Sequence, residues 1–261
     1  MSIVLANAAF GDDPRRWPLP PAATPYDLWM RAVAAGGQGR YASAMADLAR
    51  LCGLHRDGAL ASLAHSTRAS LLRQLGWHDR ARRWDGRAMA LAGSDQQAGA
   101  DALIGLAADA LGVGRYPASA AALRRAGELL AGWAAPPRLP VRLAWVTAEL
   151  TMACGDGTTA VGHAERGVEL AATAGSARHC VKSDVILAAA LCSAGDIEAS
   201  RRVADAALQD AERLGIIPLR WALACLLADI GSATHSPGRV AAIRDESADT
   251  VRHLGGAWSV R

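Results

Sequence analysis

The sequence predicts an all-α fold, a solenoid built from about six helical hairpins stacked in one continuous array. Three observations predict it. Alanine and leucine, both strong helix formers, dominate the hydrophobic half of the composition, and no alternating run of β-branched residues indicates a strand. Glycines recur at intervals of 37, 38, 41, 40 and 36 residues, and small residues stand at fixed distances on either side of each one. A period of this size is typical of repeat architectures, in which stacked hairpins bury a shared core.

The clearest copy of the repeat has its turn at Gly195. A helix is predicted to end just before this glycine, and a second helix to begin near Ile197. Ala188 lies seven residues before the glycine, while Ser200 and Ala207 lie five and twelve residues after it. Two antiparallel helices approach closely only where their side chains are small, and glycine supplies the positive φ that the turn requires. The stretch therefore predicts one helical hairpin.

The same pattern recurs along nearly the whole chain. The turn glycines are Gly39, Gly76, Gly114, Gly155, Gly195 and Gly231. The residue seven positions before each glycine is Ala32, Ala69, Ala107, Ala148, Ala188 and Ala224. The small residue five positions after each glycine is Ala44, Ala81, Ser119, Ala160, Ser200 and Ser236. Composition alone does not readily give six matches at these offsets, so we expect these residues to lie at helix crossings.

Prolines and caps mark where several helices begin. Thr24 is a predicted N-cap with Pro25 in the first turn, and Ser236 caps the last helix in the same way. Pro140 is expected to start the fourth hairpin and Pro218 the sixth. The third hairpin is expected from about residue 101 to 132.

The first 24 residues differ from the repeat. Gly11 and the prolines that follow it are expected to forbid a regular helix there, yet Leu5, Phe10 and Trp17 are too apolar for a purely disordered tail. One interpretation is that this arm caps the first hairpin or stays loose. The other is that it lies across the array and occupies its groove. The predicted organisation is an N-terminal arm over residues 1–24, a helical repeat domain over 25–254 and a C-terminal tail over 255–261.

Charge and cysteine content narrow the class of protein. The net charge is +3 over 53 charged residues, which gives no broad field for nucleic acid, and there is no helix-turn-helix signature. The five cysteines are odd in number and lack a CxxC spacing, which favours a reducing cytoplasm over a disulfide framework. No apolar run reaches the roughly 20 residues of a membrane span. We therefore expect a cytoplasmic protein that binds neither nucleic acid directly nor a membrane.

No catalytic arrangement emerges from the residues. The chain has neither a GxSxG nor an HExxH motif, and its seven histidines are dispersed. Cys52 and His55 have the spacing of half a metal site, but a buried cysteine beside a surface histidine explains the pair better. We therefore expect no enzyme, no cofactor and no metal.

Two turns carry a resemblance to a known family. The stretch Gly39-Arg40-Tyr41 with Ala44, repeated by Gly114-Arg115-Tyr116 with Ser119, resembles the tetratricopeptide repeat. The resemblance covers roughly residues 25–254, in a long-helix form similar to the arrays of bacterial regulators. It implies a right-handed α-solenoid whose first helices line a concave groove.

The resemblance also implies which residues face that groove. In this family, fixed positions of each first helix line the concave side, and the chain places aromatic and charged side chains at several of them. The candidate partner-binding residues are Tyr26, Trp29, Ser70, Arg73, Gln74, Arg142, Trp145, Glu149, Lys182 and Trp221. Tryptophan and arginine are the side chains that most often anchor interfaces. The alternative is that the tryptophans simply fill wide gaps between helices.

Three functions follow as hypotheses. The first is a non-enzymatic regulatory adaptor that binds a protein or peptide segment in the groove. The second is a small-molecule sensor in which Trp29, Trp145 and Trp221 line an apolar pocket. The third is a homo-oligomer that stacks through its terminal hairpins, with Trp258 exposed on the tail. Because Asn7 is the only asparagine, the sequence does not fit the family members that grip a peptide terminus with asparagine and lysine.

Overall fold

The computed structural model describes residues 2–259, and over that range it contains thirteen α-helices and no strand. Met1, Val260 and Arg261, which end the predicted arm and tail, lie outside the described residues. The helices are α1 Ile3–Phe10, α2 Pro25–Gly37, α3 Tyr41–Leu54, α4 Gly58–Gln74, α5 His78–Ala92, α6 Gln96–Gly112, α7 Tyr116–Leu130, α8 Arg138–Ala153, α9 Gly157–Ala174, α10 Ala177–Ser193, α11 Ile197–Arg213, α12 Ile217–Ile230 and α13 Pro237–His253. The all-α prediction is confirmed.

The helices pack in chain order, and the first helices of successive hairpins form a row. Each helix contacts the next one along the chain, and each first helix of a hairpin also contacts the first helix of the following hairpin. We call this set of first helices, α2, α4, α6, α8, α10 and α12, the first-helix row. The row is the side of the array from which the candidate partner-binding residues were predicted to project.

The small residues lie where the repeat predicts. All six alanines that precede the turn glycines are completely buried. In the hairpin that turns at Gly195, the Ser200 hydroxyl donates a hydrogen bond of 2.7 Å to the Ala188 carbonyl, so the two helices touch at the predicted crossing. The last of the small residues, Ser236, is the exception. It is exposed and caps α13 instead, accepting a hydrogen bond from the Arg239 amide.

The turn glycines adopt the predicted backbone conformation. All six have φ between +74° and +86°, a region that residues with a Cβ atom rarely enter. At Gly155 and Gly195 no other atom lies near the position that a Cβ would occupy. Backbone conformation, and not lack of space, therefore selects glycine at these two turns.

Two helix starts differ from the prediction by two residues or more. Helix α8 begins at Arg138, two residues before Pro140. Helix α6 begins at Gln96 and not near residue 101, because the Asp95 carboxylate accepts a hydrogen bond of 2.8 Å from the Ala98 amide and caps it. The predicted starts at Pro25 and Pro237 are correct, and each has the expected capping hydrogen bond.

The arm contains a helix, contrary to expectation. Helix α1 ends at Phe10, so Gly11 and the prolines follow it and do not interrupt it. The Ser2 hydroxyl accepts a hydrogen bond from the Leu5 amide at its start. Helix α1 packs against α2 and also against α10, far along the chain. The arm therefore does more than cap the first hairpin, since it lies across the array.

The first and last hairpins contact each other. The Ala42 amide, at the start of α3, donates a hydrogen bond of 2.9 Å to the Leu254 carbonyl after α13. The Ser259 amide donates one of 2.8 Å to the Leu75 carbonyl after α4. The two ends of the array are thus joined through backbone hydrogen bonds.

Candidate functional site

A line of aromatic side chains crosses the first-helix row through α1. The ring of Phe10, the last residue of α1, lies 5.5 Å from the ring of Trp29 on α2 and 6.1 Å from that of His179 on α10. The His179 ring in turn stacks on Trp145 of α8, at 5.3 Å. Side chains that are distant in sequence therefore meet around the end of α1.

Two of the predicted tryptophans have equivalent roles in different hairpins. The Trp29 indole N–H donates a hydrogen bond of 2.9 Å to the Thr67 hydroxyl on the next first helix. The Trp145 indole N–H donates one of 2.8 Å to the Ser183 hydroxyl, again on the next first helix. Each tryptophan thus bridges neighbouring first helices with its polar edge, as the gap-filling interpretation expects. Each also presents its ring toward the Phe10 and His179 pair.

Three arginines surround the same place. Arg138 and Arg142, both on α8, form ion pairs with the carboxylate of Asp101 on α6. Arg178 on α10 donates a hydrogen bond of 3.1 Å to the Ala9 carbonyl at the end of α1. We call Arg138, Arg142 and Arg178 the arginine cluster.

The arginine cluster has more positive than negative charge. Within the described chain Asp101 is the one carboxylate that forms ion pairs with the cluster, and Arg178 forms none. The Nε atom of Arg178 is buried and has no hydrogen-bond partner. Burial lowers the pKa of Arg178 to about 10, so the guanidinium remains charged at neutral pH. The pKa of His179 is well below its usual range because of burial and the three neighbouring arginines, so its ring is neutral.

Arg73 belongs to a buried charge network beside this site. Its guanidinium pairs with Asp85 and Asp109, and both carboxylates are completely buried. The Ser66 hydroxyl donates a further hydrogen bond of 2.8 Å to Asp85. Burial and the nearby Asp85 raise the pKa of Asp109 to about 7, against the lowering effect of Arg73. The structure therefore places Arg73, a predicted groove residue, within a network of buried acids.

Three of the predicted residues lie at the edge of the aromatic line. The Tyr26 ring is 5.2 Å from that of Trp29 and is exposed. Lys182 and Glu149 form an ion pair of 3.5 Å, and both side chains remain partly exposed. The Lys182 ammonium is 6.0 Å from the centre of the Trp145 ring. These side chains form the accessible border of the site.

The remaining predicted residues lie elsewhere on the row. The Gln74 amide oxygen accepts a hydrogen bond of 3.0 Å from the Tyr41 hydroxyl, and Ser70 is half-buried on α4. The Trp221 ring lies 4.3 Å from that of Trp258, at an interplanar angle of 34°. Trp258 was expected to be exposed and is partly buried, because the backbone hydrogen bond at Ser259 holds the tail against the array.

Sequence reasoning missed Arg138, Arg178, His179 and the helix that they meet. One signal was available, since Arg138 and Arg142 are four residues apart and share a helix face. Arg178 and His179 carried no such signal, because their roles depend on where α1 lies.

Two kinds of feature are absent from residues 2–259, a metal-binding cluster and a membrane-spanning helix. No group of three or more histidine, cysteine or acidic side chains is arranged to hold a metal ion. No helix in this range combines the length and the apolar character needed to cross a membrane. The site is therefore a surface that holds a short helix, and aromatic rings and an excess of guanidinium groups line it.

Comparison with known proteins assigns no family to this chain. It matches none of the protein-family models, and none of the curated proteins matches it. The tetratricopeptide resemblance accordingly rests on the repeat itself.

Proposed function

We propose that the protein is a non-enzymatic interaction scaffold, a right-handed solenoid of tetratricopeptide-like hairpins whose first-helix row binds a segment of a partner protein. Its role is that of an adaptor within a regulatory or assembly complex. The contacts between successive first helices support the solenoid, because each hairpin repeats the packing of the one before it.

The observation that carries the proposal is α1. Helix α1, with Ser2 as its N-cap, packs on the first-helix row, and the side chains of Leu5, Ala8 and Ala9 are buried against this row. The Ser2 amide donates a hydrogen bond of 2.8 Å to Asp27 at one end, and Arg178 donates to the Ala9 carbonyl at the other. The row thus has the shape, the apolar surface and the polar end contacts that bind a short helix.

The two other hypotheses have less support. In the sensor hypothesis, Trp29, Trp145 and Trp221 line one pocket, but Phe10 lies beside Trp29 and Trp221 is paired with Trp258. In the stacking hypothesis the terminal hairpins are free to meet other copies, but they contact each other. We therefore favour binding of a protein segment.

Site-specific photocrosslinking in the native cell tests the proposal. A photoreactive amino acid is placed in the full chain at Tyr26 or at Lys182, both on the border of the site. The control positions are Arg124 on α7 and Arg166 on α9, whose side chains are 67% and 62% exposed on second helices. We expect the first pair to crosslink the same segment of one partner and the control pair not to. Crosslinks from the control positions alone, or none from any position, would contradict the proposal.

A further inference from the structure

If the first-helix row binds a partner segment, as the proposed function states, the structure also indicates the chemistry of that segment. Helix α1 shows what such a segment looks like. It has eight residues, which is too short for a helix to be stable by itself in water, so the row must hold it in helical form. Its outer side chains are left in solvent, with Ile3 76% and Val4 41% exposed. Helix α1 therefore resembles a bound peptide segment more than a helix that the rest of the fold depends on.

The link between α1 and the array permits movement of α1 without unwinding another helix. Residues 11–24 are not helical, and most of their side chains are partly or fully exposed. The side chains from Arg15 to Pro18 are exposed. Their backbone is anchored at one point, where the buried Gln38 amide donates hydrogen bonds of 2.8 Å and 2.9 Å to the Pro14 and Arg16 carbonyls. The non-helical chain on either side of this anchor is what permits α1 to leave the row. Helix α2 begins only after this stretch, with its own capping box at Thr24.

The positive charge of the arginine cluster is not matched by negative charge on α1. The Phe10 ring centre is 5.6 Å from the Arg138 guanidinium carbon and 6.0 Å from that of Arg178. An aromatic ring attracts a cation far less than a carboxylate does, and a buried cation without a partner is costly. The partial negative charge at the end of α1, through the Ala9 carbonyl, offsets only part of the excess.

The acidic residues that follow α1 do not correct this mismatch. Asp12 and Asp13 come directly after Gly11, yet neither forms an ion pair with Arg138 or Arg178 within the described part of the chain. The Gly11 carbonyl accepts a hydrogen bond of 3.0 Å from the Ala177 amide, which turns the chain away beside α10. A better-matched segment has its negative charge two or three residues earlier, at the position of Phe10.

We propose that α1 is a displaceable occupant of the first-helix row, and that the partner's segment is a short helix that takes its place and carries a carboxylate side chain at the position of Phe10. There the carboxylate reaches Arg138 and Arg178. The buried positions of α1 specify the rest of the segment. It has a large apolar residue where α1 has Leu5 and small residues where α1 has Ala8 and Ala9.

Peptide exchange into the full chain tests the proposal. A protease site is inserted at residues 20–23, and the purified protein is cleaved there. The two pieces stay associated, and the severed arm becomes free to exchange with an added peptide. Three fluorescent peptides spanning residues 2–13 are compared, namely the native sequence, Phe10→Glu and Phe10→Gln. Glutamine matches glutamate in size and lacks its charge, so the pair isolates the carboxylate. Fluorescence anisotropy gives the affinity of each peptide.

We expect all three peptides to displace the severed arm, and the glutamate peptide to bind about tenfold more tightly than the glutamine peptide. The difference is expected to shrink at high salt and in proteins carrying Arg178→Gln or Arg138→Gln. Circular dichroism identifies which of these two variants remains folded, and that variant is used. In the uncut chain, Phe10→Glu is expected to have a higher Tm than Phe10→Gln.

Two results overturn the inference in different ways. Equal affinity of the glutamate and glutamine peptides removes the carboxylate from the description of the partner. If no peptide displaces the severed arm, α1 is a fixed part of the fold and not a displaceable segment. Neither result determines whether photocrosslinks form at Tyr26 and Lys182. The photocrosslinking experiment therefore tests the proposed function separately.

Discussion

At the scale of single residues, close contact between small side chains determines the packing. Ala188 is completely buried, and its carbonyl accepts the hydrogen bond from Ser200 on the neighbouring helix. These crossings could be predicted from the sequence because close approach leaves a periodic trace of small residues. Ser236 shows the limit of that reasoning, since a serine at the correct spacing caps a helix in place of lying at a crossing.

Replacing Ala188 with leucine tests this packing. The larger side chain has no space at the crossing, and overpacking of this kind costs about 1–3 kcal/mol of the free energy of unfolding. Urea denaturation measures it. Ala206→Leu is the matched control, because Ala206 is exposed on α11 and the same change there is expected to alter stability by no more than about 0.5 kcal/mol. Equal stability of the two variants would count against the crossing.

Asp109 gives a prediction about pH. Its pKa is raised to about 7 in the folded protein, whereas an unfolded aspartate titrates near 3.9. Between these values the folded state holds a proton that the unfolded state releases. The free energy of unfolding therefore falls as the pH rises through this window.

The variant Asp109→Asn removes this titration while it preserves the shape of the side chain. We expect the stability of the wild type, relative to the variant, to decrease from about pH 4 to about pH 7 by a few kcal/mol, since each unit of the pKa difference is worth about 1.4 kcal/mol. Chemical denaturation at several pH values measures the difference. A difference that stays constant across the window, or that increases with pH, would show that Asp109 titrates normally.

At the scale of helices, local signals predict the long elements and miss the short one. Turn glycines and caps such as Thr24 fix the ends of most helices, and these signals are readable in the sequence. Helix α1 has a local cap at Ser2 but too few residues to be stable alone, so its existence depends on contacts with α2 and α10. Arg178 and His179 could not be recognised as site residues for the same reason.

The packing of α1 on the row can be tested by placing a charge on its buried side or on its exposed side. Leu5→Glu puts a carboxylate at a completely buried position, and we expect α1 to detach while the other helices remain folded. Hydrogen exchange of the amides in residues 5–10 is expected to become faster by at least about tenfold. Ile3→Glu is the control, since Ile3 lies in solvent and the change there is expected to leave exchange unaltered. Equal exchange rates in the two variants would show that α1 is not held through Leu5.

At the scale of the whole molecule, two contacts connect parts that are distant in sequence. The N-terminal helix α1 lies across the first-helix row, and backbone hydrogen bonds join the two ends of the array. A repeat in the sequence predicts how each hairpin meets the next one, because neighbouring hairpins are related by the period. It contains no information on how the first hairpin meets the last. The pairing of Trp221 with Trp258, and the hydrogen bond from Ala42 to Leu254, could not be predicted for that reason.

Whether the first-helix row binds a helical segment is measured directly by fluorescence anisotropy, with a labelled peptide of residues 2–13 added to the full chain cleaved at residues 20–23. We predict saturable binding that the unlabelled native peptide reverses and that the same peptide with Leu5→Glu does not. Absence of binding, or equal competition by the two peptides, would show that the first-helix row does not bind a helical segment in this place.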